Sequence, residues 1–143
     1  MAELVFAPRL AVGPLSGAAL FLVLTGGRVP RALPRLSRRA FGVRWASLAA
    51  AAGLEELVWR WLVLGGLAIA VGPLSALALS TVGFAACHRP SLGRRCWVHL
   101  LTGAGFGAAF LVGGLAAAVL AHGVYNILVD WAVYAERARV RGP

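Results

Sequence analysis

The chain has no lysine and no glutamine, one asparagine (Asn126) and five acidic residues against fourteen arginines. Each scarcity narrows the reading. A formal charge of +9 carried by arginine alone invites a nucleic-acid partner. The arginines, however, lie between apolar segments rather than along one exposed face, so no nucleic acid is expected. Two cysteines, Cys87 and Cys96, fall near a basic connection that the topology below puts on the reducing side, which argues against a structural disulfide. The start, MAELVFAPRL, lacks the basic opening of a secretory signal, so the first apolar stretch is expected to be retained as a membrane helix. The absence of lysine beside abundant Ala, Gly, Arg and Leu fits a GC-rich bacterial genome.

What is abundant is apolar surface. Of 143 residues, 60% are hydrophobic, and the mean hydropathy is +0.81. A soluble domain of this size could not bury so much, so lipid is the expected solvent. Apolar stretches run over about 8–26, 45–71, 74–88, 97–112 and 115–134, each long enough to cross or nearly cross a bilayer at about 1.5 Å per residue. The second is over-long, and Gly65-Gly66 is the expected place for a break or tilt. Gly72-Pro73 and Gly113-Gly114 predict tight connections between antiparallel neighbours. Pro90 predicts that the third helix stops just after His88. Gly103, Gly105 and Gly107, with Gly113 and Gly114, give the fourth stretch a small-residue face for close packing.

Charge alternates along the connections. Residues 28–44 carry Arg28, Arg31, Arg35, Arg38, Arg39 and Arg44, residues 89–95 carry Arg89, Arg94 and Arg95, and the tail carries Arg137, Arg139 and Arg141. The connections near 72 and 113 carry none. The positive-inside rule then predicts an all-α, polytopic bundle of about five transmembrane helices. Its amino terminus lies outside and its carboxyl terminus in the cytoplasm. Pro30 and Pro34 keep the first basic connection from being one clean helix, and its arginines are expected on anionic headgroups. There is no repeat and no second domain: residues 1–143 read as one domain with its motif-bearing core at about 45–134.

Against this background, Glu55, Glu56 and Arg60 stand out inside an apolar segment, GLEELVWRWLVLGG. Ionised groups at such depth cost about 3 kcal/mol each on insertion scales. Glu56 and Arg60 are four apart with the acid first, the favourable order for an ion pair. Glu55 points about 100° away with no local basic partner, as suits a general base held in low dielectric. Phe84 and His88, and His122 and Asn126, are pairs four apart on other segments. Counting about 1.5 Å per residue from the helix ends puts all three clusters in the middle to inner half of the hydrocarbon. The plainer readings are a structural Glu56–Arg60 pair, an interfacial His88 and Asn126 as interhelical glue. His99, at the inner end of the fourth stretch, belongs with the interfacial class.

Taken together, E-E-x-x-x-R, F-x-x-x-H and H-x-x-x-N in order resemble the CAAX protease and bacteriocin-processing (CPBP/ABI) family of glutamic-type intramembrane endopeptidases, over roughly residues 45–130. That resemblance implies an endopeptidase acting on membrane-associated or lipid-anchored proteins in a bacterial inner membrane. Glu55, helped by His88, would activate a water molecule. His122 and Asn126 would stabilise the oxyanion, Glu56 and Arg60 would hold the geometry or bind substrate backbone, and Phe84 would wall the histidine. Size and GC-rich character are similar to the myxosortase-like branch, which processes C-terminal membrane anchors. No cofactor is expected; the alternative is zinc held by Glu55, His88 and His122. The competing functions are a catalytically silent immunity or scaffold protein and a small proton-coupled transporter.

Overall fold

The computed structural model describes residues 2–29 and 38–141, and every regular element among them is helical. Pro30, Arg31, Pro34 and Arg35 of the first basic connection lie outside the described residues, as do the side chains of Arg38 and Arg39. Helix α1 spans Ala2–Thr25 and α2 spans Arg38–Glu56. A π-helical segment, Leu57–Leu64, runs without interruption into α3, Gly65–Val71. Helix α4 is Pro73–Leu92, a 3₁₀ turn covers Gly93–Trp97, and α5 is Val98–Arg141.

Positive φ marks the turns. Gly72 (φ 79°) separates α3 from α4, with Pro73 opening the new helix, a pairing in which Gly supplies the left-handed backbone and Pro the first helical residue. Gly114 (φ 75°, ψ −169°) interrupts α5. Phe106 and His122 are sixteen residues apart, about 24 Å along a straight helix, yet their rings stack at 4.5 Å. The arms 98–113 and 115–141 therefore fold back on each other.

Residue pairs give the remaining directions. Trp59 and Arg60 meet Gly83 and Ser80, so α4 runs antiparallel to the segment before it. Gly103 lies against Phe84 and Gly107 against Leu77, setting the first arm of α5 antiparallel to α4. Glu56 meets His122 while Arg44 meets Asp130, setting the second arm antiparallel to α2. Helix α1 packs parallel to that arm: Cβ atoms at Gly13 and Gly17 would lie 2.5 and 2.2 Å from the carbonyl oxygens of Ala117 and Ala121. Only glycine permits backbones that close. The core cluster of Phe106, Ala109, Ala117 and Ala121 fills this region.

Two local expectations are corrected. Gly65-Gly66 does not break the second stretch, since Gly65 is α-helical (φ −60°, ψ −44°). The irregularity sits one turn earlier, where the Gly65 N–H donates to the Arg60 carbonyl five residues back, the bonding of a π-turn. Pro90 does not end α4 at His88: the helix continues to Leu92, and the Gly93 N–H caps the Arg89 carbonyl. Proline is tolerated there because it removes one donor in the last turn and the glycine cap re-satisfies the end. His88 thus stands a full turn inside α4. Helix α5 runs on through the basic tail to Arg141.

Burial departs from the pattern of a soluble protein. Glu56, Arg60, Ser80, Thr102 and His122 are buried, whereas Trp61, Ile69 and Leu74 are exposed. Polar groups inside and apolar groups outside suit an apolar solvent. Among the described residues, one helical run, Pro73–Val140, is long and apolar enough to cross a membrane by length and composition, and Leu10–Thr25 is a shorter apolar helix.

Candidate functional site

Where α2 passes into its π-helical turn, Glu56 and Arg60 point inward and both side chains are fully buried. Arg60 Nε lies 3.1 Å from Glu56 Oε2, an ion contact set off the angle of a hydrogen bond. Nη1 of Arg60 donates to Ser80 Oγ at 3.2 Å, and that hydroxyl donates to the Trp59 carbonyl at 2.9 Å. Ser80 of α4 thus ties the guanidinium to the backbone of the π-helical turn. The guanidinium also sits over the Phe84 ring, 5.0 Å from its centroid, which adds a cation–π contact.

Glu56 reaches across to α5, where His122 Nδ1 donates to its Oε1 at 2.9 Å. Ser80, Arg60, Glu56 and His122 thus form one continuous buried polar line through three helices. The carboxylate is the shared acceptor, fixing the His122 ring with Nε2 turned away from it. Phe106 stacks flat on the other side of that ring (4.5 Å, 17°). Asn126, one turn further along α5, is half-buried.

Glu55 takes the other direction. It is 40% exposed, and its Oε2 approaches His88 Nε2 of α4 at 4.0 Å. That oxygen is itself buried without a hydrogen-bond partner among the described residues. On the far side of the imidazole, Nδ1 lies 2.8 Å from the Phe84 carbonyl. A carbonyl only accepts, so Nδ1 carries the proton and Nε2 faces Glu55. The outcome is a carboxylate oxygen and an imidazole nitrogen that face each other at 4.0 Å without a hydrogen bond between them.

Phe84 is the hub that the two halves share. Its ring contacts His88 at 4.6 Å, His122 at 6.2 Å, Trp59 at 6.0 Å and His99 at 5.5 Å. Arg60, His88 and His122 therefore meet around one ring, and Glu55 and Glu56 join it through the two histidines. Two participants escape a reading of the sequence. Ser80 gives no signal, since serine is common in membrane helices. His99 carries a weak one, as the third of three histidines, and it stacks on His88 at 3.9 Å. Asp130 is a further acid, bonded through both oxygens to Arg44, and it braces the second arm of α5 to the start of α2. Cys87 and Cys96 are free thiols.

No group of three His, Cys, Asp or Glu side chains among the described residues is arranged to hold a metal ion. Glu55 pairs with His88 and Glu56 with His122, which divides the three residues of the zinc alternative between two separate contacts.

No curated protein and no solved structure matches the chain significantly. The sequence model of the type II CAAX prenyl endopeptidase Rce1-like family matches residues 37–128, well over half of the chain, and takes in every motif residue described above. The chain belongs to the Rce1-like type II CAAX prenyl endopeptidase family, a family of integral-membrane proteases.

Proposed function

We propose that this protein is an intramembrane endopeptidase of the glutamic type that hydrolyses a peptide bond in a membrane-anchored protein. The observation that carries the reading is the approach of Glu55 to His88 without a hydrogen bond between them. Two acceptor atoms 4.0 Å apart are close enough for one water, entering with substrate, to bond both from off their line at about 2.8 Å. Such a water would give one proton to the carboxylate or the imidazole as it attacks the scissile carbonyl. Burial of the Glu55 oxygen without a partner keeps it free to act.

On this reading His122 and Asn126 face the oxyanion. With Nδ1 donating to Glu56, His122 stabilises negative charge through Nε2 only when that nitrogen is also protonated. Glu56 and Arg60 are inaccessible to substrate, which leaves them the role of holding the histidine rather than binding a backbone. Phe84 keeps the two halves at fixed separation.

The membrane arrangement follows the charge pattern. Helix of about 100 Å in the run Pro73–Val140 is more than three times a hydrocarbon core of about 30 Å, so it crosses repeatedly, folding at Gly93 and Gly114. With α1 and the α2–α3 segment this makes about five crossings, amino terminus outside and carboxyl terminus in the cytoplasm of a bacterial inner membrane. The substrate class is a protein held in the same membrane by a lipid or a C-terminal anchor, as in the myxosortase-like branch.

The test is comparative proteomics of membranes from cells with wild-type protein, with none, and with the Glu55→Gln variant. The proposal expects one or more anchored proteins to persist in unprocessed form in the last two. Identical processing in all three would end it.

A further inference from the structure

The first arm of α5 presents two rings seven residues apart, hence about two turns apart on one face. Phe106 lies flat on His122 at 4.5 Å and 17°. His99 lies flat on His88 at 3.9 Å and 20°. Each of the two histidines given catalytic roles above is thus pinned on one face by a ring from the same helix. His99 is itself held, since its Nδ1 lies 3.5 Å from the hydroxyl of Thr102, a residue 1% exposed, and Phe84 packs edge-on against it.

We propose that His99 is a positioning residue for His88. It clamps the imidazole between itself and Phe84, so that Nδ1 stays on the Phe84 carbonyl and Nε2 stays turned to Glu55. His88 needs such a clamp because it is more exposed than His122 and lacks a carboxylate bonded to Nδ1. Its Nδ1 bond goes to a carbonyl within its own helix, which fixes the nitrogen but leaves the ring a degree of swing about χ2. A stacked ring removes that swing. Since phenylalanine does the same work at position 106, a flat ring is what position 99 requires, rather than a proton carrier.

The catalytic meaning of this clamp rests on the proteolytic reading, but its test does not. The chain has three histidines, so protein labelled with ¹⁵N-histidine in nanodiscs gives three imidazole spin systems. Their two-bond couplings report which nitrogen carries the proton. At a pH above the ordinary imidazole range, wild-type His88 is expected as a single Nδ1–H tautomer, and His99→Phe is expected to retain it. His99→Ala and His99→Leu are expected to give a mixture of tautomers at His88 while the His122 signals, held by Glu56, do not move. In a cleavage assay the same Ala and Leu variants should lose about tenfold to a hundredfold in kcat with KM within about twofold, the scale of misplacing a catalytic group. His99→Phe should stay within about threefold of wild type.

An unchanged His88 tautomer in both the Ala and the Leu variants would overturn the proposal. So would loss of the His88 and His122 signals together in all three variants, which would make His99 a folding residue. Failure of the wild-type protein to cleave anything would count against proteolysis while the tautomer result still decided the role of His99.

Discussion

Replacing Arg60 by alanine should be among the most damaging single changes in this protein. The side chain is the largest of those fully buried. Its removal withdraws the guanidinium from Glu56 (3.1 Å), the donor from Ser80 (3.2 Å) and the cation from the face of Phe84 (5.0 Å). Breaking a buried pair by deleting one partner costs about 3–5 kcal/mol, because the other charge stays buried without compensation. The orphaned Ser80 bond adds on the order of 1 kcal/mol. One contact offsets this: the hydrogen bond from His122 to Glu56 at 2.9 Å remains, which places the expected loss near the lower end, about 3 kcal/mol. Arg60→Met separates charge from volume. It keeps most of the packing, so if charge dominates it should be nearly as unstable as Arg60→Ala. Adding Glu56→Gln to Arg60→Met should recover a large part of the loss, since no isolated charge is left. Unfolding in detergent, followed by circular dichroism against temperature or denaturant, reads all three. An Arg60→Ala protein as stable as wild type, or a double variant no better than Arg60→Met, would refute the reasoning.

Other consequences are more local. Ser80→Ala strips a partner from both Arg60 and the Trp59 carbonyl and should cost about 1–3 kcal/mol in the same unfolding assay, with Ser80→Thr milder than Ser80→Ala. In a background with Cys87 and Cys96 replaced by serine, Arg35→Cys and Arg139→Cys should both react with a membrane-impermeant thiol reagent only after the cells are opened. Labelling of either from outside would overturn the charge-based topology. Chelators should leave proteolysis unchanged and metal analysis should find no stoichiometric zinc; activity lost to chelation and restored by zinc would instead make Glu55, His88 and His122 ligands, despite their present division between two contacts.

The sequence was legible where backbone chemistry forces the outcome. Gly72-Pro73 and Gly113-Gly114 mark turns because the left-handed backbone there excludes most other residues, and the structure turns at Gly72 and Gly114. The Glu56–Arg60 pair was legible from spacing alone. What stayed hidden depends on partners distant in sequence. The π-helical turn receives a hydroxyl from α4 on its Trp59 carbonyl, and nothing near Leu57–Leu64 announces Ser80 twenty residues on. Pro90 reads as a stop because the cap at Gly93 that rescues the last turn of α4 is a backbone contact. Spacing groups His122 with Asn126, but it cannot reveal that Glu56 claims the Nδ1 of that histidine. His99 looks interfacial in isolation, and its stacking on His88 exists only once α4 and the first arm of α5 are antiparallel.

The measurement that bears most directly on the account is turnover by the purified Glu55→Gln variant, in liposomes, of an anchored protein that wild type cleaves. Glutamine keeps the shape of Glu55 and removes the base, and at 40% exposure the change should leave unfolding within about 1 kcal/mol of wild type. The account predicts a folded, membrane-inserted protein with cleavage reduced at least about a hundredfold, the lower range of a lost general base. Cleavage by that variant at the wild-type rate would contradict it.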